Sequence, residues 1–270
     1  MGKFDGILIC SDFDGTLAHE AKISEVNRDA VRYFQSEGGV FVPVSGRPYH
    51  FFKLYEDVLK PSRYIVGLNG AEIYDCVEQK MAYRDALDKP SALKLVYDIL
   101  YNFPEMLRVY IHDAEGGQMV SLQNWADTEK LDGDIYKMVF IVDTENSDRM
   151  ADTLASYVPE NYLIERSWIN GIELLARHNT KGESVKRLRG LFGERAKKTV
   201  AVGDYENDIT MLREADIGYA VKGSGLKVRM AADRMTVSVT ENAIAYVIED
   251  IENELRTAPG SFWHEVIRPI

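Results

Sequence analysis

Residues 6–16, GILICSDFDGT, run an apolar segment straight into two carboxylates one residue apart, Asp12 and Asp14, followed by Gly15 and Thr16. Two like charges closing a buried strand need a turn, a cation or a proton-transfer role to hold them. A turn is the bland reading of Asp-x-Asp-Gly taken alone. An EF-hand loop is excluded, because its glycine falls at the sixth position and its flanks are helical. A fold that suits the feature is an open parallel sheet, where ligands lie beyond the carboxyl ends of the strands.

The flanking pattern supports such a sheet. A strand over 6–11 precedes a helix over 24–36, with apolar Val26, Ala30, Val31 and Phe34 at helical spacing, Ser24 as its N-cap and the EGG stretch at 37–39 as its end. Strand 40–46, helix 48–58 and strand 64–70 continue the alternation that marks a parallel sheet with crossover helices. EIYD and MAYR then read as a small antiparallel pair. From 85 to 178 the texture changes to helix 90–101, strands 107–112 and 136–143, helix 147–157, and strands 161–168 and 171–176, an α+β unit. The first style returns with helix 181–193, the strand in KTVAVGD, helix 206–214, the strand IGYAV and helix 241–255. The expected fold is therefore α/β: a Rossmann-like parallel-sheet core from 1–84 and 179–270, with an α+β cap over 85–178 inserted between the halves. No internal repeat is present, and the tail 257–270 has no periodicity.

Composition narrows the partners. With 43 acidic against 32 basic residues the formal net charge is −11, which argues against nucleic acid or an anionic membrane surface. A small anionic substrate remains compatible, since a local cation reverses the field inside a cleft. Two separated cysteines, Cys10 and Cys76, make neither a disulfide framework nor a zinc site. The first residues offer no apolar stretch long enough for a signal peptide, no run nears the ~20 apolar residues of a membrane span, and the Met1-Gly2 start fails the myristoylation motif, since position 6 is glycine; no secretory leader is expected. The expected setting is a reducing cytoplasm.

Four stretches fall at strand ends or helix starts: DFDGT at 12–16, VSGR at 44–47, NTKGES at 179–184 and GDYEND at 203–208. The sheet topology brings Asp12, Asp14, Ser45, Asp204 and Asp208 together. Four carboxylates converging are costly without a cation, and hard oxygen donors without His or Cys suit Mg²⁺. Taken singly, several of these residues have plainer readings. Ser45 is a helix cap, Lys181 a solvated helix start, Arg47 a surface cation, Asn69 a turn residue before AEIYD, Asn207 a cap of helix 206–214, and His19 a surface residue.

The order and spacing of these motifs resemble the haloacid dehalogenase superfamily of aspartate-nucleophile phosphatases, and more closely its Cof-type subclass with a large inserted α/β cap. The resemblance spans the chain to about residue 255. It implies Asp12 as nucleophile, Asp14 as general acid/base, and Lys181 and Ser45 on the phosphoryl oxygens. It also implies Mg²⁺ held by Asp12, the Asp14 carbonyl and Asp204, with Asp208 in support. Arg47, Asn69 and Asn207 become candidate substrate-binding residues. One departure stands out: the Met–small–Asn–Ala segment usual after the fifth strand is replaced by AVKGSGLKVRMAADRMT. The implied activity is hydrolysis of small phosphorylated metabolites, in particular sugar phosphates. A sugar-phosphate phosphotransferase or mutase, and a non-catalytic phosphometabolite-binding protein, are the alternatives. A mutase shares the first motif but not so compact a fourth, and a mere binder has no need of Asp14. Substrate identity, the cap residues that set it, and oligomeric state are not legible.

Overall fold

The computed structural model describes residues 2–57, 59, 63–103, 108–113 and 116–257. A five-stranded sheet, all parallel, has the order Arg234–Met235, Ile217–Ala220, Lys198–Gly203, Ile7–Ser11, Val40–Pro43. Its central strands come from opposite ends of the sequence. Ile7–Ser11 is buried at every position, as expected of a strand covered on both faces. Phe4, Ile9, Phe41 and Val202 pack to one side with helix Ala243–Thr257, and Leu8, Cys10, Val42 and Leu188 to the other. Each such side chain contributes roughly 1.5–3 kcal/mol on burial. Cys10 is a free, buried thiol pushed up to about 12 by burial, and Cys76 is also free.

Helix Glu25–Ser36 starts as its sequence suggests: the Ser24 hydroxyl accepts from the Asn27 amide at 3.1 Å. Val31 and Phe34 are buried, whereas Val26 is exposed. Several elements differ from expectation. The segment after strand Val40–Pro43 is a 3₁₀ stretch, Tyr49–Tyr55, and residue 58 lies outside the described residues. Strand Tyr64–Gly67 touches the parallel sheet through a single bridge, Val44 to Val66. It pairs antiparallel with Glu72–Asp75, which pairs with Lys80–Arg84. Helix 206–214 divides into a 3₁₀ turn, Glu206–Asp208, and a short α-helix, Ile209–Glu214. The tail 258–270 and residue 107 of strand 107–112 lie outside the described residues.

Between the halves runs an antiparallel sheet ordered Tyr162–Trp168, Gly171–Ala176, Lys137–Ile141, Arg108–His112, Gly117–Val120. Helices Lys89–Asn102 and Ser147–Tyr157 cover one face through Val96, Ile99, Met138, Phe140, Leu154 and Leu174. Strand residues alternate between faces. Registers Lys137–His112 and Val139–Glu173–Glu165 therefore set these side chains on the opposite face, toward the parallel sheet. The two chain crossings between the layers lie side by side: the Asp85 carboxylate meets His178 Nε2 at 2.7 Å and accepts from Asn179 Nδ2 at 3.0 Å. No helix among the described residues is long and apolar enough to cross a membrane.

Candidate active site

Strand Ile7–Ser11 delivers Asp12 to the carboxyl edge of the parallel sheet, where its amide donates to the Val202 carbonyl at 2.9 Å. The chain then turns through Gly15 at φ +84°, and a Cβ there would lie 2.5 Å from Asp204 Oδ2. Glycine is thus required by both backbone angle and space. Thr16, a residue without an assigned role in the sequence reading, donates its hydroxyl to Asp204 Oδ1 at 2.7 Å.

Helix Lys181–Phe192 begins at the same edge, N-capped by Thr180, whose hydroxyl accepts from the Glu183 amide at 3.1 Å. Lys181 is almost wholly buried. Its ammonium donates to Asp12 Oδ1 and to Asp208 Oδ1, each at 2.6 Å. Asp208 Oδ2 accepts from the amides of Asp204 and Tyr205 at 2.9 and 3.0 Å, so both its oxygens are engaged by protein donors. Asp12, Asp204 and Asp208 each offer an oxygen within 4.8 Å of the others. Burial, opposed by Lys181 and reinforced by Asp208 and Asp204, pushes the Asp12 carboxyl well above the usual range. Burial and Asp208 push Asp204 up to about 6. Burial works against the Lys181 charge, yet Asp12 and Asp208 hold its pKa above the ordinary lysine value. The two sides of the pair differ because three carboxylates share one ammonium. The ammonium gains from Asp12 and Asp208, while Asp12 and Asp204 remain short of positive charge. An all-oxygen donor set in that state fits a hard divalent cation.

Asp14 is half-exposed beside Asp12 and is gripped by Arg47, whose Nε and Nη2 donate to its two carboxylate oxygens at 2.6 and 2.9 Å. The guanidinium lies over the Phe51 ring at 4.3 Å. Arg47 is thereby placed on a candidate catalytic carboxylate rather than free at the surface. Ser45 is buried, and its hydroxyl accepts from the Arg47 amide at 3.2 Å. Asn69 sits in a left-handed turn at φ 56° and is fully buried, so its turn role and its place at the site coexist. Its amide donates to the Ser45 carbonyl at 2.9 Å, and its Oδ1 accepts from Asn207 Nδ2 at 3.3 Å. His19 is exposed on the short hairpin Ala18–His19/Lys22–Ile23. Asp12, Asp14, Ser45, Arg47, Asn69, Lys181, Asp204, Asn207 and Asp208 thus meet at this edge, and His19 stands apart from them.

A cavity of about 510 Å³ joins the two layers here, walled by Asp12, Asp14, Ser45, Arg47 and Asn207 on one side and His112, Lys137, Ser167, Trp168 and Glu173 on the other. A second cavity of about 570 Å³, beside Tyr49, Phe52 and Tyr74, contains none of the clustered carboxylates. The 220–236 segment that departs from the family pattern runs from the end of strand Ile217–Ala220 through a turn and the short helix Leu226–Ala231 to the edge strand Arg234–Met235, and contributes nothing to the 510 Å³ cavity. The second wall was not read from the sequence. Its available signal was charge inside apolar strands, Lys137 in YKMVFI and Glu173 in GIELLA. Beside them, His112 is lowered to about 4 by burial and Lys137, and Glu165 is pushed up to about 8 by burial and Glu173.

A parallel sheet with a lysine-bridged carboxylate edge, facing an antiparallel sheet inserted between its halves, defines a capped Rossmann-like hydrolase. The chain belongs to the haloacid dehalogenase-like hydrolases, whose family model matches residues 9–248, and the resemblance read from its motifs holds. It is 26% identical over 263 residues to the putative phosphatase YxeH of Bacillus subtilis, covering 90% of this chain and 97% of that one. It is also 26% identical over 247 residues to the 5-amino-6-(5-phospho-D-ribitylamino)uracil phosphatase YcsE of the same organism, covering 89% and 94%. Among solved structures, the HAD subclass IIB sugar phosphatase BT4131 superposes with a TM-score of 0.74 at 18% identity, over 90% of this chain and 98% of that one. A haloacid dehalogenase-like hydrolase from B. subtilis does so at 0.74 and 22%, with the same coverage. These two likenesses speak to the fold.

Proposed function

We propose that the chain is a Mg²⁺-dependent phosphatase of small phosphorylated metabolites, sugar phosphates foremost, acting through an aspartyl-phosphate, with 85–178 as a lid over the core. The observation that carries this reading is the Asp12–Lys181–Asp208 bridge beside Asp14, opening on a cavity of small-metabolite size. The free thiols Cys10 and Cys76 support a cytoplasmic setting.

Asp12, Asp204 and the Asp14 carbonyl would hold the cation, with Asp208 fixing the 203–208 loop through the two amides it accepts from. When bound, the cation supplies charge that brings the carboxylate and the phosphate together. Lys181 orients Asp12 through Oδ1 and faces the phosphoryl charge as a compact donor. The Asp12 carboxylate attacks phosphorus as the bond to the leaving oxygen breaks, and Asp14 gives that oxygen its proton. Asp14 then takes a proton from water as the water oxygen attacks phosphorus. The phosphorus–Asp12 bond breaks, and phosphate leaves. Arg47 is placed to trade the Asp14 carboxylate for a phosphoryl oxygen, which frees Asp14 for proton transfer.

A panel of phosphorylated metabolites assayed for phosphate release tests the reading. Release is expected with Mg²⁺ and none after exhaustive chelation. Full turnover without metal would remove the cation from the mechanism, and transfer to a second sugar in preference to water would favour the phosphotransferase alternative.

Asp14→Asn is expected to lose ~10²–10⁴ in rate, the usual worth of general acid–base help. The loss should be smaller in the single-turnover burst with an aryl phosphate, whose leaving group needs little protonation, than with an alkyl phosphate. Equal burst losses with Mg²⁺ binding intact would refute this role for Asp14.

A further inference from the structure

Lys137 and Glu173 are carried by the inserted sheet, yet their hydrogen bonds end on the core. Lys137 donates to the Gly46 carbonyl and to Glu173 Oε1, both at 2.8 Å. The other Glu173 oxygen accepts from Asn69 Nδ2. Asn69 in turn accepts from Asn207 and donates its amide to Ser45. Lys137, Glu173, Asn69 and Asn207 are all at least nine-tenths buried. One ion pair thus touches the 45–47 loop directly and the 203–208 loop through a single asparagine.

A buried ion pair adds little net stability, because desolvation offsets its attraction, but it is intolerant of poor geometry. Here the desolvation falls due only when the cap sits on the core. With the cap lifted, water reaches both charges, Gly46 loses its lysine and Asn69 its carboxylate. We propose that Lys137 and Glu173 are positioning residues that couple seating of the cap to the geometry of the phosphoryl-binding loops. The proposal rests on the phosphatase reading above. Substrate enters the unseated form in either case, and only the seated fraction turns over. Weakening the pair therefore lowers kcat and leaves KM nearly alone.

The test compares Glu173→Gln, Lys137→Met and the double variant with the unaltered chain, using p-nitrophenyl phosphate with Mg²⁺ and hydrogen exchange at 45–47 and 69–70. Each single variant should lose roughly tenfold or more in kcat with KM within about threefold, and those amides should exchange faster. The double variant should lose no more than the worse single, because the pair acts as a unit. Near-native kcat in both folded singles, or single losses that multiply in the double, overturns the proposal. Should a single variant fail to fold, Lys137→Arg and Glu173→Asp replace it under the same criteria. Should the unaltered chain release no phosphate from any substrate, the phosphatase reading fails by itself. Hydrogen exchange then decides the coupling, and unchanged protection at 45–47 and 69–70 in the variants rejects it.

Discussion

Asp12→Asn is expected to cut turnover by at least about 10⁴ and to abolish the covalent intermediate, since an amide is a poor nucleophile at phosphorus and a poor metal ligand. Intact-mass measurement after acid quench should find no added phosphoryl group. The same variant should not lose stability without metal. Burial and two neighbouring carboxylates disfavour the ionised Asp12. A carboxyl whose folded pKa is raised contributes its stability at low pH and loses it as pH rises through that value. At neutral pH a neutral amide removes the repulsion, so the melting temperature in chelator should hold or rise, the trade between activity and stability expected of a charged site. Turnover within tenfold of the unaltered chain would take the nucleophile's role from Asp12.

Lys181→Met should damage both activity and fold. It leaves Asp12 and Asp208 buried without the ammonium that bridges them at 2.6 Å. Breaking a buried pair from one side costs about 3–5 kcal/mol, a fall of roughly 6–20 °C in Tm for a chain of this size. Loss of a donor facing the transferring group removes about 10²–10³ in kcat. Mg²⁺ should restore part of the lost Tm, because a cation replaces the missing charge, but not the rate. An unchanged Tm in chelator would show that the carboxylates do not depend on Lys181.

The sheet and its motifs were legible because both depend on local signals. Ile7–Ser11 and Lys198–Gly203 carry the apolar runs ILIC and VAV ahead of acidic turns, and Lys181 stands in NTKGES at a helix start. Elements that escaped are short or set by distant partners. The hairpin Ala18–His19/Lys22–Ile23 and the edge strand Arg234–Met235 are two residues per strand. Gly117–Val120 gains its place from pairing with Arg108–His112. The Tyr49–Tyr55 stretch has the apolar content of a helix, but its length and 3₁₀ geometry are set by surroundings that spacing does not report. The second wall of the site was invisible for a related reason. Motif reading finds residues near each other in sequence or matched to a family pattern, whereas Lys137 and Glu173 acquire meaning only from the register Val139–Glu173 and from contact with Gly46 and Asn69.

On the lid motion proposed above, the paired crossings at Asp85 and His178–Asn179 would set how the cap travels. A body tied by one tether can tumble, and a body tied by two separated tethers can hardly move. Two tethers stapled side by side leave chiefly one degree of freedom, a swing about the line through the staple. On such an arc the points far from the axis travel most and those near it scarcely move. Crevice width on opening therefore scales with distance from residues 85 and 178. On that proposed swing, the largest molecule admitted would be decided by the far rim of the cavity rather than by its volume when shut.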